Sequence, residues 1–177
     1  MNTLRALDWD RDRAGVLGLD TSFTTKVIYR LTQTDHCATL EVTPAHPPIR
    51  KVYALGEDLL ALAQSDWAQV AVSRDRIVGL AVMGVRQWNR RAELAHLYVT
   101  ASARGQGVGR ALVDAALREA QRQAARCLWV ETQTINYPAI QFYQRLGFGW
   151  CGFDTSLYDA GGAGAGEIAV FFARPMP

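Results

Sequence analysis

The stretch LAHLYVTASARGQGVGRAL, residues 94–112, allows few local folds. An apolar, strand-like run leads into Gly105, Gly107 and Gly109, flanked by Arg104 and Arg110. From Val108 onward, Leu112, Ala116, Ala120 and Ala124 recur at helical period, while Arg110, Asp114, Arg118 and Arg122 occupy the opposite, polar face. The reading is strand, glycine loop, helix. Such a junction offers several unpaired backbone N–H groups at the positive end of a helix dipole, and phosphate oxygens are its natural guest. The G-x-G-x-G spacing is neither the G-x-G-x-x-G of a dinucleotide fold nor a loop closed by Lys-Ser/Thr, so both of those nucleotide folds are excluded.

Around this junction, the 177 residues read as one mixed α/β domain spanning 1–177. KVIYRLT and ATLEVT alternate as strands, and AQVAVSRDRIVGLAVMGVRQW is a hairpin turning at Arg74-Asp75. GEDLLALAQSDW has helical spacing, and RCLWVETQ is a further strand. Asn136 is placed to cap YPAIQFYQRL, with Pro138 in the first turn and Gly147 at the stop. DTSLYD and EIAVFFA read as a final hairpin with AGGAGAG as an over-long turn. A formal charge of +2, with basic and acidic residues interspersed, argues against nucleic acid. No run approaches a membrane span, and MNTLRALDWDRDRAG lacks the apolar core of a secretion signal, so a cytoplasmic protein is expected. Cys37, Cys127 and Cys151 show no CxxC spacing; they are expected to be core or near-core thiols, and no metal is expected.

Arg104-x-x-Gly107-x-Gly109 resembles the R/Q-x-x-G-x-G/A pyrophosphate motif of the GNAT N-acetyltransferase superfamily. Some 30 residues on, NYPAIQFYQRLGF is similar to that superfamily's N-x-x-A-x-x-F-Y-x-x-x-G-F element. The resemblance implies a splayed, mostly antiparallel sheet flanked by helices, with acetyl-CoA as cosubstrate. It implies that Arg104, Gly105, Gln106, Gly107, Val108, Gly109 and Arg110 hold the pyrophosphate. Leu97, Tyr98 and Val99 would line the coenzyme, backbone N–H groups there stabilising the oxyanion, and Asn136, Ala139 and Tyr143 would complete its site. The phenol of Tyr143 would protonate the departing thiolate.

Further segments, among them LDTSFTTKVIYRLT, PPIRKVY, WNRR and LWVET, resemble the streptothricin acetyltransferases. That likeness implies a small, polycationic substrate with a free primary amine. Such a cation wants carboxylates and aromatic faces, and Asp20, Trp88, Glu131, Asp154, Tyr158 and Asp159 are the candidates. The streptothricin enzymes carry a Glu-Asp pair where this chain has Ala95-His96. Two residues earlier, Glu93 matches the base glutamate of histone-type members and period two puts it on the same face as Ala95, while His96 faces the other way. Glu93 is therefore the expected base. Transfer would be direct, in a ternary complex, since no nucleophile motif suggests a covalent intermediate. Two alternatives remain at this level: a protein N-terminal or lysine acetyltransferase, and a non-catalytic acyl-CoA-binding module. The terminal strands, DTSLYD and EIAVFFA, offer an edge for a homodimer.

Overall fold

The computed structural model describes residues 2–55, 67–159, 161, 162, 164 and 166–176. The helix expected over GEDLLALAQSDW lies almost wholly outside the described residues. The chain forms two compact units, each assembled from separated segments: residues 1–22, 52–129 and 175–177 in the first, 23–51 and 130–174 in the second.

The first unit contains β1 (Thr3–Ala6), α1 (Trp9–Leu17), β4 (Trp67–Ser73), β5 (Arg76–Arg86), β6 (Arg91–Val99) and α2 (Val108–Arg122), and it takes in the start of β7 (Cys127–Gln133). Its strands join in the order β1-β4-β5-β6-β7, antiparallel except for the parallel β6–β7 pair. The β4–β5 hairpin turns where expected. Arg74 and Asp75 have φ of 47° and 60°, the left-handed pair of a tight two-residue turn.

Helix α1 packs on one face of this sheet: Val16 and Leu19 close a core with Val70, Leu80 and Val82, and Tyr98 packs against it. The N-terminus of α1 is fixed by a buried charge. Asp12, only 3% exposed, accepts from both Arg5 guanidinium nitrogens, from Arg11 Nε and from the Asp8 amide. Helix α2 covers the other face. A Cβ on Gly79 of β5 would lie 3.0 Å from Leu112 Cδ1, so glycine there lets the first turns of α2 sit close to the strand. The buried stripe of α2 is Val108, Leu112, Ala116 and Ala120, as the period predicts. Ala124 leaves it: the helix ends at Arg122, and Ala124 turns out with φ of 53°.

The second unit holds the hairpin of β2 (Phe23–Gln33) and β3 (Ala38–Lys51), the remainder of β7, α3 (Tyr137–Arg145), β8 (Gly149–Asp154) and β9 (Ala169–Pro175). Strand β9 lies between β7 and β8. Strand β3 runs well beyond ATLEVT, through Pro47 and Pro48, which fall where its register with β2 breaks between Thr25 and Val27. Helix α3 has the expected caps: Asn136 Oδ1 accepts from the Ala139 amide at 3.2 Å, and Gly147 adopts φ of 82°. Tyr29 of β2 stacks on Tyr137 with ring centroids 5.5 Å apart and accepts from Gln141 Nε2, which sets α3 against the hairpin.

Two expectations need correction. DTSLYD is not a strand: only Asp154 pairs, as the last residue of β8, because its carboxylate accepts the Ser156 amide and hydroxyl and bends the chain away. Of the cysteines, Cys127 alone is buried. Cys37 lies exposed in the β2–β3 turn and Cys151 is exposed where the β8 register slips between Trp150 and Gly152.

Candidate active site

The glycine loop has the form required of an anion cradle. A short 3₁₀ turn, Ala101–Ala103, leads from β6 into it. Gly105 and Gly107 have φ of 74° and 81°, and an added Cβ on either would meet nothing within 4 Å. The chain therefore presents bare backbone beside open space. Gly107 is the N-cap of α2, and no side chain caps the amides that follow. A fifteen-residue helix thus points its positive end into that space.

The side chain of Arg104 braces the loop. Its Nε donates to the Val99 carbonyl at 2.9 Å, its Nη1 to the Ser22 carbonyl at 2.7 Å and its Nη2 to the Asp20 carbonyl at 3.5 Å. The guanidinium ties the loop to the segment that follows α1. Gln106 Nε2 donates to the Ser102 carbonyl, closing the loop on itself, and Arg110 is exposed.

Strand β6 leads into this loop and is irregular. Met83 pairs with Leu94 but Val82 pairs with His96, so Ala95 is an extra residue in β6. Partners across an antiparallel pair share a face. Glu93 opposite Gly84, His96 opposite Val82 and Tyr98 opposite Leu80 therefore all face the α1 side, while Ala92 and Leu94 are buried on the α2 side. The expectation that His96 faces away from Glu93 is thus wrong. It assumed a regular two-residue period, and a bulge inverts the alternation after Ala95. Glu93 is 26% exposed and its Oε2 accepts from Arg86 Nε at 2.8 Å. The His96 and Tyr98 rings lie 5.9 Å apart, and Tyr98 meets Tyr53 at 6.1 Å. Strand β6 pairs with β7 from Arg91 to Glu93, with Glu93 opposite Trp129.

In the second unit, Tyr143 of α3 is 7% exposed and packs between the rings of Phe142 and Phe148, at 5.4 and 5.5 Å. Glu131 and Tyr158 are brought together: the Tyr158 hydroxyl donates to Glu131 Oε1. Gln133, which sequence reasoning missed, donates to the Tyr158 oxygen at 2.9 Å and to Glu131 Oε1 at 3.5 Å. Its signal was available, since period two along β7 puts Trp129, Glu131 and Gln133 on one half-exposed face and buries Leu128, Val130 and Thr132. The loop carrying Tyr158 packs tightly, with a Cβ on Gly164 only 3.0 Å from Tyr158 Cβ. Glu167 holds its far end through an ion pair to Lys51.

The remaining candidates are dispersed. Asp20 is exposed and its Oδ1 accepts from the Ser22 amide and hydroxyl. Trp88 stands 86% exposed at the β5–β6 turn. Ser156 holds the Asp154 carboxyl below the usual carboxylate range, and Asp159 Oδ1 accepts from the Gly161 amide in a turn. Among the described residues, no group of three or more His, Cys, Asp or Glu could hold a metal ion, and no helix is long and apolar enough to cross a membrane.

Comparison with known proteins gives this geometry its context. Streptothricin acetyltransferase of Streptomyces lavendulae is 36% identical over 173 residues, covering 94% of this chain and 91% of that protein. The crystal structure of nourseothricin acetyltransferase superposes with a TM-score of 0.89 at 37% identity, over 99% of both chains. A putative streptothricin acetyltransferase from Bacillus anthracis, solved in complex with acetyl coenzyme A, shares the fold with a TM-score of 0.83 at 22% identity. The family described as Acetyltransferase (GNAT) matches residues 28–148, a span that holds the bulged strand, the glycine cradle and the capped α3, and the chain belongs to that family.

Proposed function

We propose that this N-acetyltransferase moves the acetyl group of acetyl-CoA to a primary amine of a small, polycationic acceptor of the streptothricin class, which would confer resistance by acetylation. The likeness to streptothricin acetyltransferase along 94% of the chain carries the reading. The residues present fit the coenzyme, because the Gly105–Gly107 cradle and the uncapped α2 N-terminus offer bare N–H donors to a pyrophosphate. Acetyl-CoA supplies the acetyl group as an activated thioester. The amides of residues 105–110 hold its pyrophosphate, and Arg104 keeps the loop in shape through Val99, Ser22 and Asp20. Leu97, Tyr98 and Val99 offer backbone groups to the pantetheine arm and to the developing oxyanion. Asn136 and Ala139 set the start of α3, and Tyr143 on that helix gives the thiolate its proton. Glu93 draws the ammonium to the α1 face of β6. Glu131, with Tyr158 and Gln133, supplies a second anionic, aromatic locus for a polycation. Asp20, Trp88 and Asp154 remain acceptor-side candidates.

Purified protein, incubated with acetyl-CoA and a panel of amines, tests this through release of free thiol. Streptothricin is expected to be turned over fastest. Turnover confined to peptides with free N-termini or lysines would replace this reading with the protein-acetylating alternative. Tight coenzyme binding without thiol release on any amine would leave only the non-catalytic module.

The cradle gives a second prediction. Gly107→Ala forces a side chain into left-handed backbone at about 1–2 kcal/mol. The KM for acetyl-CoA is expected to rise about tenfold with kcat little changed. An unchanged KM in steady-state assays would separate Gly107 from coenzyme binding.

The chain would work as one N-acetyltransferase domain, since each unit is built from separated segments and β7 runs from one into the other. Reduced thiols and coenzyme supply suit the cytoplasm. Strand β8, an edge strand with Trp150 38% exposed, supports a homodimer as the further partner.

A further inference from the structure

The extra residue in β6 has a chemical consequence. Without it, His96 would point with Ala92 and Leu94 into the core under α2; with it, the imidazole stands half-exposed on the face of Glu93 and Tyr98. We infer that His96 takes the proton from the acceptor amine while Glu93 holds the cation, an assignment that rests on the acetyl-transfer reading above and deepens it.

Glu93 is engaged in an ion pair with Arg86, so its carboxylate is already a seat for a cation. An imidazole ordinarily titrates near pH ~6.5, close to the working pH, which is where a general base is most effective. The ring is also oriented. Tyr98 lies 5.9 Å away on the same strand and is itself met by Tyr53 at 6.1 Å, giving an aromatic wall beside the imidazole. Such a wall tolerates both the cationic substrate and the imidazolium.

Among the described residues, charged and titratable groups on this face include Glu93 and Tyr98 of β6, Arg86 of β5 and Arg91 over the Trp129 ring at 4.2 Å; Tyr53 meets Tyr98, and Glu131 follows on the Trp129 face of β7. Directly across from His96, β5 offers Val82, and Val16 of α1 and Leu19 just beyond it add apolar side chains to that core. Over the reaction two protons leave the ammonium nitrogen as its bond to the acetyl carbon forms and the carbon–sulfur bond breaks. His96 accepts one and passes it to water. The other makes good the proton that Tyr143 gives the departing thiolate.

The test follows thiol release against pH for the wild type, His96→Gln and Glu93→Gln, with the amine that the wild type acetylates fastest. His96→Gln is expected to lower kcat about 100-fold, to leave the KM for acetyl-CoA within about twofold, and to abolish the acidic limb of the kcat/KM profile. Added imidazole should restore part of the rate to His96→Ala, which a merely structural role would not allow. A His96→Gln enzyme with the wild-type rate and pH profile would overturn the assignment, as would loss of the acidic limb in Glu93→Gln alone. No thiol release by the wild type on any amine would instead overturn the acetyl-transfer reading, and this assignment with it.

Discussion

Asp12→Asn is expected to lower the stability of the chain at pH 7 by about 2–3 kcal/mol. Asp12 is 3% exposed, and Arg5, Arg11 and the Asp8 amide all donate to its carboxylate. The amide keeps the volume but removes the charge that two guanidinium groups and the first turn of α1 are arranged around. Both arginines reach solvent, at 34% and 57% side-chain exposure, so they are not left as buried unpaired ions and the loss stays below the extreme for such sites. The effect depends on pH in a fixed direction. The Arg5 guanidinium, followed by Arg11, holds the Asp12 carboxyl well below the usual carboxylate range. A carboxylate depressed in the folded state stabilises fully above its unfolded value of about 3.9, and that stability is lost as pH falls through this value towards the folded one. Urea unfolding at pH 7 and at pH 3 should therefore show the gap between wild type and Asp12→Asn closing in acid. A gap that stays constant over that range would contradict the role of the charge. Function should follow stability here, because α1 forms the apolar floor under the face that bears Glu93, His96 and Tyr98.

The parts of this molecule that were legible in the sequence are those fixed by local chemistry. Asn136, Pro138 and Gly147 bracket α3 because each satisfies a backbone need at a helix end, whatever surrounds it. The glycine cradle was legible for the same reason, since only glycine adopts φ near 80° without strain and leaves the amides bare. The bulge at Ala95 was not legible. Nothing in AELAHLYV marks an inserted residue, because alanine fits a bulge and a regular strand equally, and the register is settled by β5 across the ladder. One residue of slip then reassigned His96. Likewise, sequence pattern put Cys37 and Cys151 near the core because free cysteine is usually buried, whereas a turn and a slipped edge strand expose them. Arg104 shows a third kind of gap. Its motif position is right, but tertiary contact with Ser22 and Asp20 decides what its side chain holds.

Tyr143→Phe is expected to lower kcat by between about 10² and 10⁴, with the KM for acetyl-CoA little changed. The ring packs at 5.4 Å from Phe142 and 5.5 Å from Phe148, and phenylalanine preserves that packing while removing only the hydroxyl. The backbone is unaffected, since the Tyr143 carbonyl still accepts from the Leu146 and Phe148 amides that end α3. A loss of turnover without a loss of melting temperature therefore isolates proton delivery to the thiolate. A second reading separates it further: acyl donors whose thiols are more acidic need less protonation to depart, so the variant should be least impaired with them. Equal impairment across donors of different thiol acidity would leave Tyr143 as a packing residue of α3, and the thiolate would have to take its proton from elsewhere.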